Sequence, residues 1–150
     1  MPPAAQPDLL TWSPPQPALA FDERAIRSTT LAARISRAVS VALRECGKPR
    51  GHVAREMSSY LGEEVSLPML DAYASVARDQ HRISVTRFIA LAHATGDRRL
   101  LELLAEPIGL AVIDRKYLPL IELAAIREQE DELRKRRKAL ARRSRGEGAL

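Results

Sequence analysis

Lys48 to Gln80 reads KPRGHVAREMSSYLGEEVSLPMLDAYASVARDQ, two short amphipathic helix patterns separated by a Gly-containing turn, with a fresh helix start at Ser66. The first pattern runs from about Arg50 to Tyr60, with Val53, Ala54, Met57 and Leu61 inward and Arg55, Glu56 and Ser59 outward. Leu61 to Val65 forms the turn, several residues longer than the minimal turn of a helix-turn-helix. Ser66 carries a hydroxyl able to accept an orphan backbone N–H, and Pro68 is tolerated in the first turn that follows. In this second helix the spacing predicts a buried stripe of Leu67, Leu70, Ala74 and Ala77, with Asp71, Ser75 and Arg78 pointing away and Tyr73 at the border.

Helical patterns flank this segment on both sides. From Thr30 a stripe of Leu31, Ile35, Ala38, Val39, Ala42 and Cys46 predicts a helix stopped by Gly47, Lys48 and Pro49. Downstream, Ser84 caps a helix from Val85 to about Thr95 in which Val85, Phe88, Ile89 and Ala92 share a face. Gly96 ends that helix, and Asp97 starts another through Arg98, Leu100, Leu101 and Leu104, closed by Pro107 and Gly109. Residues 29 to 113 therefore read as one compact, all-α domain of five short helices.

Composition agrees with packed helices. Aromatic residues make up 4% and apolar residues 45% of the chain, so the core is built mainly from Leu, Ile, Val and Ala. Residues 1 to 21 hold six of the ten prolines and a lone Trp12, which reads as a disordered or extended arm over residues 1 to 28. Trp12 beside Pro14 and Pro15 is either a docking peptide or part of an arm packed loosely on its own domain. The single cysteine, Cys46, excludes an internal disulfide and suits a reducing compartment, where it reads as a structural thiol. With no apolar run near the roughly 20 residues that cross a bilayer, and no secretory signal pattern, the chain reads as soluble, intracellular and without membrane contact.

Net charge is +5, and residues 114 to 150 supply most of the excess, with 11 basic against 7 acidic groups. From about Asp114 to Arg143 the pattern is one long helix. Its acidic block, Glu128, Glu130, Asp131 and Glu132, precedes the basic block Arg134, Lys135, Arg136, Arg137 and Lys138. That order suits the helix macrodipole and sets several opposite charges four apart, so it stabilises a helix with no partner present. Ile126, Leu133 and Leu140 repeat at seven residues, while Glu130 and Arg137 fill the alternate seam positions. Two readings stand: a homodimer through this helix, or a solvated helix that frays.

Residue patterns for catalysis are missing. The chain has no phosphate-cradling Gly-rich loop, no H-E-x-x-H, no paired Cys and no nucleophile elbow, and His52, His81 and His93 fall on separate elements. No enzyme, cofactor, metal or small-molecule ligand is expected.

For DNA the chain offers a supporting helix and a weak reading surface. Lys48, Arg50 and His52 begin the supporting helix, where basic groups and backbone N–H donors meet a phosphate. Arg55 and Ser59 lie further along its outer face. Ser66, Asp71, Ser75 and Arg78 are the candidate reading residues, with Arg78 suited to guanine and Asp71 to a cytosine amine. The basic run Arg134, Lys135, Arg136, Arg137 and Lys138 would add salt-dependent phosphate contacts to double-stranded DNA.

The string RISVTRFIALAHATGDRRLLELLAEPIG, Arg82 to Gly109, with the preceding AREMSSYLGEEVSLPMLDAYAS, resembles the small helix-turn-helix regulators of temperate and transposable bacteriophages. The likeness covers roughly Ser36 to Gly109, and its most specific part is Thr95, Gly96 and Asp97 followed by Leu100 and Leu101. It implies a lambda-repressor-like domain and an early-gene transcription regulator that binds operator DNA as an oligomer in the bacterial cytoplasm, at the nucleoid. The other reading is a helical adaptor that binds a protein in phage replication, recombination or transposition.

Overall fold

In the computed structural model of the chain, residues 19–78 and 80–147 are described. The Pro-rich stretch around Trp12 lies outside them. The described residues form helices and turns, with no strand among them. They divide into two compact units, Gln16–Val112 and one that contains Ile113–Leu150.

The first unit carries α1 (Glu23–Ile26), α2 (Leu31–Glu45), α3 (Arg50–Leu61), α4 (Leu67–Tyr73), α5 (Val85–Thr95) and α6 (Arg99–Ala105), ending in a 3-10 turn, Glu106–Ile108. Three of these helices start on a hydroxyl that satisfies a first-turn amide. Thr30 Oγ1 accepts from Ala33 N at 3.2 Å, Ser66 Oγ from Met69 N at 3.3 Å and Ser84 Oγ from Arg87 N at 3.4 Å. Two helices end where glycine takes the left-handed conformation, Gly62 after α3 and Gly96 after α5, each at φ 69°.

Packing follows from these stops and starts. α3 lies along α5, α4 packs on α3 and α2, and α6 packs on α2 and α5. Val39, Val53, Met57, Leu70, Leu91 and Leu100 are fully buried between them. Each such side chain contributes about 2 kcal/mol of burial free energy before the opposing chain entropy is counted.

Five features depart from the sequence reading. The core extends upstream of Thr29: Phe21 and Ile26, assigned from sequence to the arm, are 5% and 1% exposed. The second helix of the opening segment stops at Tyr73, so Ser75 and Arg78 follow it rather than ride on it. Of its expected stripe only Leu70 is buried; Leu67 and Ala77 are exposed, Ala74 is half-buried, and Tyr73 goes inside instead. Tyr73 is held inside by its hydroxyl, which accepts from Arg87 Nη1 on α5, and beyond it the chain turns through Ser75 N–Ala72 O and Arg78 N–Ser75 O bonds.

The buried face of α5 is Phe88, Ala90, Leu91 and Ala94, while Val85 and Ile89, expected inside, are exposed. This helix is apolar almost all round, so periodicity could not choose its face; the positions of α3 and α6 do. Similarly Leu31 and Leu104 are exposed, and the buried residues of α6 are Leu100, Glu102 and Leu103.

In the second unit a 3-10 turn, Arg115–Tyr117, leads into α7, Leu118–Glu147, a helix of 30 residues. Its Leu123, Ile126, Leu133 and Leu140 are all exposed. No helix among the described residues is long and apolar enough to cross a membrane.

Candidate nucleic-acid interface

The α3–α4 connection is held from within. Gly62 reverses the chain, and Ser58 then closes the turn: its hydroxyl donates to Ala54 O at 2.8 Å and accepts from Val65 N at 2.8 Å. Val65 is thereby drawn into the core, 3% exposed. Glu63 anchors the same turn to α5 by accepting from Arg87 Nε at 3.1 Å. Arg87, also hydrogen-bonded to Tyr73, has its pKa raised first by that bond and then by Glu63, against the effect of burial, and so stays a fixed cation. Sequence reasoning passed over Ser58, Glu63 and Arg87, whose partners stand 7 and 24 residues away.

At the other end of α3, Pro49 is the cap residue and no side chain caps the first turn. His52 N donates to Pro49 O at 2.9 Å, which leaves the Arg50 and Gly51 amides to solvent or a ligand. Arg50 Nη1 donates to Asp71 Oδ1 at 2.6 Å, which joins this turn to α4. Two residues expected to face DNA independently thus face each other, and Asp71 sits half-buried beside exposed Leu67 and Pro68.

Lys48 is committed elsewhere. Its Nζ donates to Glu56 Oε2 at 2.7 Å and to Ala94 O at 2.8 Å, placing a cation on the C-terminal carbonyls of α5. Glu56 also meets His52 Nε2 at 3.1 Å. The Lys48 hydrogen bond, followed by smaller contributions from His52, lowers the Glu56 pKa below its ordinary value despite some desolvation. His93 stacks on Tyr60 with ring centroids 4.5 Å apart.

The remaining candidates are scattered. Arg55 and Ser59 are exposed on α3. Ser66 spends its hydroxyl as the α4 cap and is half-buried. Ser75 and Arg78 lie beyond α4, and Arg78 instead lines a groove of about 610 Å³ with Val76, Arg82 and the start of α2. Arg134, Lys135, Arg136, Arg137 and Lys138 are exposed on α7, in the second unit. The structure therefore brings Arg50 and Asp71 together, holds Lys48 and His52 on Glu56, and removes Ser75 and Arg78 from the α4 surface.

Thr95, Gly96 and Asp97 act as a corner. Thr95 Oγ1 donates to Leu91 O at 2.8 Å and Asp97 Oδ1 accepts from Arg99 N at 3.1 Å. Asp97 also grips the Arg99 side chain, which reaches Glu45 at 2.8 Å and lies over the Phe21 ring, 4.4 Å from its centroid. The guanidinium pKa is raised, chiefly by Asp97.

No protein-family model, no curated protein and no solved structure matches this chain.

Proposed function

We propose that the chain is a DNA-binding regulator, of the helix-turn-helix type met in phage repressors, in which the first turn of α3 meets a phosphate and the start of α4 enters the major groove. The Arg50–Asp71 contact carries this reading, because it sets an uncapped helix start and a guanidinium beside the exposed face of α4. With Leu67 and Pro68 exposed there, groove contact is largely apolar, of the kind that meets a thymine methyl. Base discrimination is accordingly low, and phosphate contact from Arg55 and the basic half of α7 supplies affinity.

Gel-shift titration of a random duplex pool with the full chain tests this. Arg50→Glu together with Arg55→Glu is expected to weaken association by more than about tenfold; equal retention by the double variant would dismiss the α3–α4 site. A second reading, a helical adaptor for a protein, is favoured by the apolar exposure of Leu67, 44%, and by the internal neutralisation of Lys48. An adaptor keeps its partner after nuclease and high salt, which a phosphate-held complex does not.

A further inference from the structure

We infer that α7 pairs with α7 of a second copy of this chain in antiparallel orientation, through the stripe Leu123, Ile126, Leu133 and Leu140. This surface is separate from α3 and α4 and does not rest on DNA binding.

The stripe is exposed along the helix, with Glu130 and Arg137 set between its apolar members. Positions 123, 126, 130, 133, 137 and 140 alternate by three and four, the seam of a two-stranded coil. Its four apolar members are 43%, 46%, 65% and 56% exposed in chain order. A helix of this length gains most of its stability from packing such a stripe, not from propensity.

Charge selects both the partner and the direction. Glu130 and Arg137 fill the two polar seam positions. Parallel pairing would stack Glu130 on Glu130, Arg137 on Arg137, and the whole Arg134-to-Lys138 block on its own copy. Antiparallel pairing with Leu123 of one copy level with Leu140 of the other sets Ile126 against Arg137 and Glu130 against Leu133. Glu130 of each copy then stands one layer from Arg137 of the other on one side and one layer from the other Glu130 on the other side, and Glu122, which flanks the seam, comes nearly level with Arg143. Arg127 comes near Arg134, whose charge Asp131 offsets from its own helix. Opposite pairs outnumber like ones along this register, and the two basic blocks, stacked on each other in the parallel pair, stand about nine residues apart in level on either side of the middle.

These charges are available for the purpose. Within α7, among the described residues, the one ion pair is Asp131–Arg134 at 3.7 Å, both side chains exposed. Glu128, Glu130, Arg136, Arg137 and Lys138 are exposed. On the outside of the proposed pair, Lys135, Lys138, Arg142 and Arg145 still face solvent, so pairing leaves a basic surface in place.

Disulfide trapping in the full chain tests the direction. In a Cys46→Ser background, Leu123→Cys protein is mixed with Leu140→Cys protein and oxidised gently. The mixed disulfide is expected in at least about tenfold excess over either homodisulfide. Excess homodisulfide, as parallel pairing produces, would overturn the proposal. Sedimentation of the unsubstituted chain after nuclease treatment is expected to show a dimer that Leu133→Glu dissociates while the thermal transition of the Gln16–Val112 unit is retained. A monomer at every concentration, a monomer that associates only when nucleic acid is present, or a dimer indifferent to Leu133→Glu would each overturn it as well.

Discussion

Arg50 and Asp71, twenty-one residues apart, meet at 2.6 Å and so tie the opening turn of α3 to the middle of α4. Each is a little under half exposed. The pair is therefore worth at most about 1 kcal/mol in stability, and its larger consequence is electrostatic, because Asp71 cancels the cation nearest the uncapped helix start. Asp71→Asn is expected to lower stability only slightly while strengthening duplex association on the order of fivefold at low salt. Fluorescence anisotropy with labelled duplex checks it; unchanged or weaker association would contradict the placement of phosphate beside Arg50.

Ile26 is 1% exposed although it lies in a stretch that reads as a leader. Ile26→Ala is expected to cost about 2–4 kcal/mol, as for any large aliphatic group removed from a closed core. Urea denaturation measures this directly. A loss under about 0.5 kcal/mol would mean that the segment before α2 does not belong to the folded unit.

Gly62 and Gly51 sit at opposite ends of α3 and should respond oppositely to alanine. Gly62 has φ 69° with open space where a Cβ would stand, so Gly62→Ala suffers from backbone strain alone, about 1 kcal/mol. Gly51 lies within the helix, and an added Cβ meets only the flexible end of Arg55 at 3.9 Å. Gly51→Ala should accordingly stabilise by about 0.5–1 kcal/mol. Shifts of the denaturation midpoint in the same direction for both would refute this account of the α3 ends.

Glu56 sets a pH dependence. Its carboxylate pKa is lowered from 4.5 in the folded chain, first by the Lys48 hydrogen bond. Folding therefore favours the ionised form, and the resulting stability is present above the unfolded value and lost as pH falls through the folded one. Glu56→Gln should melt below the unsubstituted protein at pH 7, with the gap closing as pH drops below about 4.5. Thermal melts between pH 7 and pH 3 follow this; a gap that stays constant would assign the destabilisation to packing instead.

Removing residues 127 to 150 takes away most of the excess positive charge. The salt slope of duplex binding should flatten by roughly 0.9 for each phosphate that the shortened chain no longer neutralises. An identical slope from the truncated chain would leave α7 no part in nucleic-acid binding.

Helix content and most helix ends were legible in the chain, because capping and left-handed turns are local chemistry. Thr30, Ser66 and Ser84 each supply the first-turn acceptor, and Gly62 and Gly96 each adopt the conformation that stops a helix. What lay beyond a few residues was not. Whether Val85 or Leu91 is buried depends on where α3 and α6 lie against a helix that is apolar nearly all round. Whether Tyr73 lies inside or outside depends on Arg87, fourteen residues on, to which its hydroxyl is bonded. Above all, Lys48 and Arg50 look like free cations in the sequence, and only the folded chain brings Glu56, the Ala94 carbonyl and Asp71 up to them. Helix propensity and capping act over one turn, whereas burial and ion pairing join residues far apart in the chain; the first was written in the sequence, and the second was decided by tertiary structure.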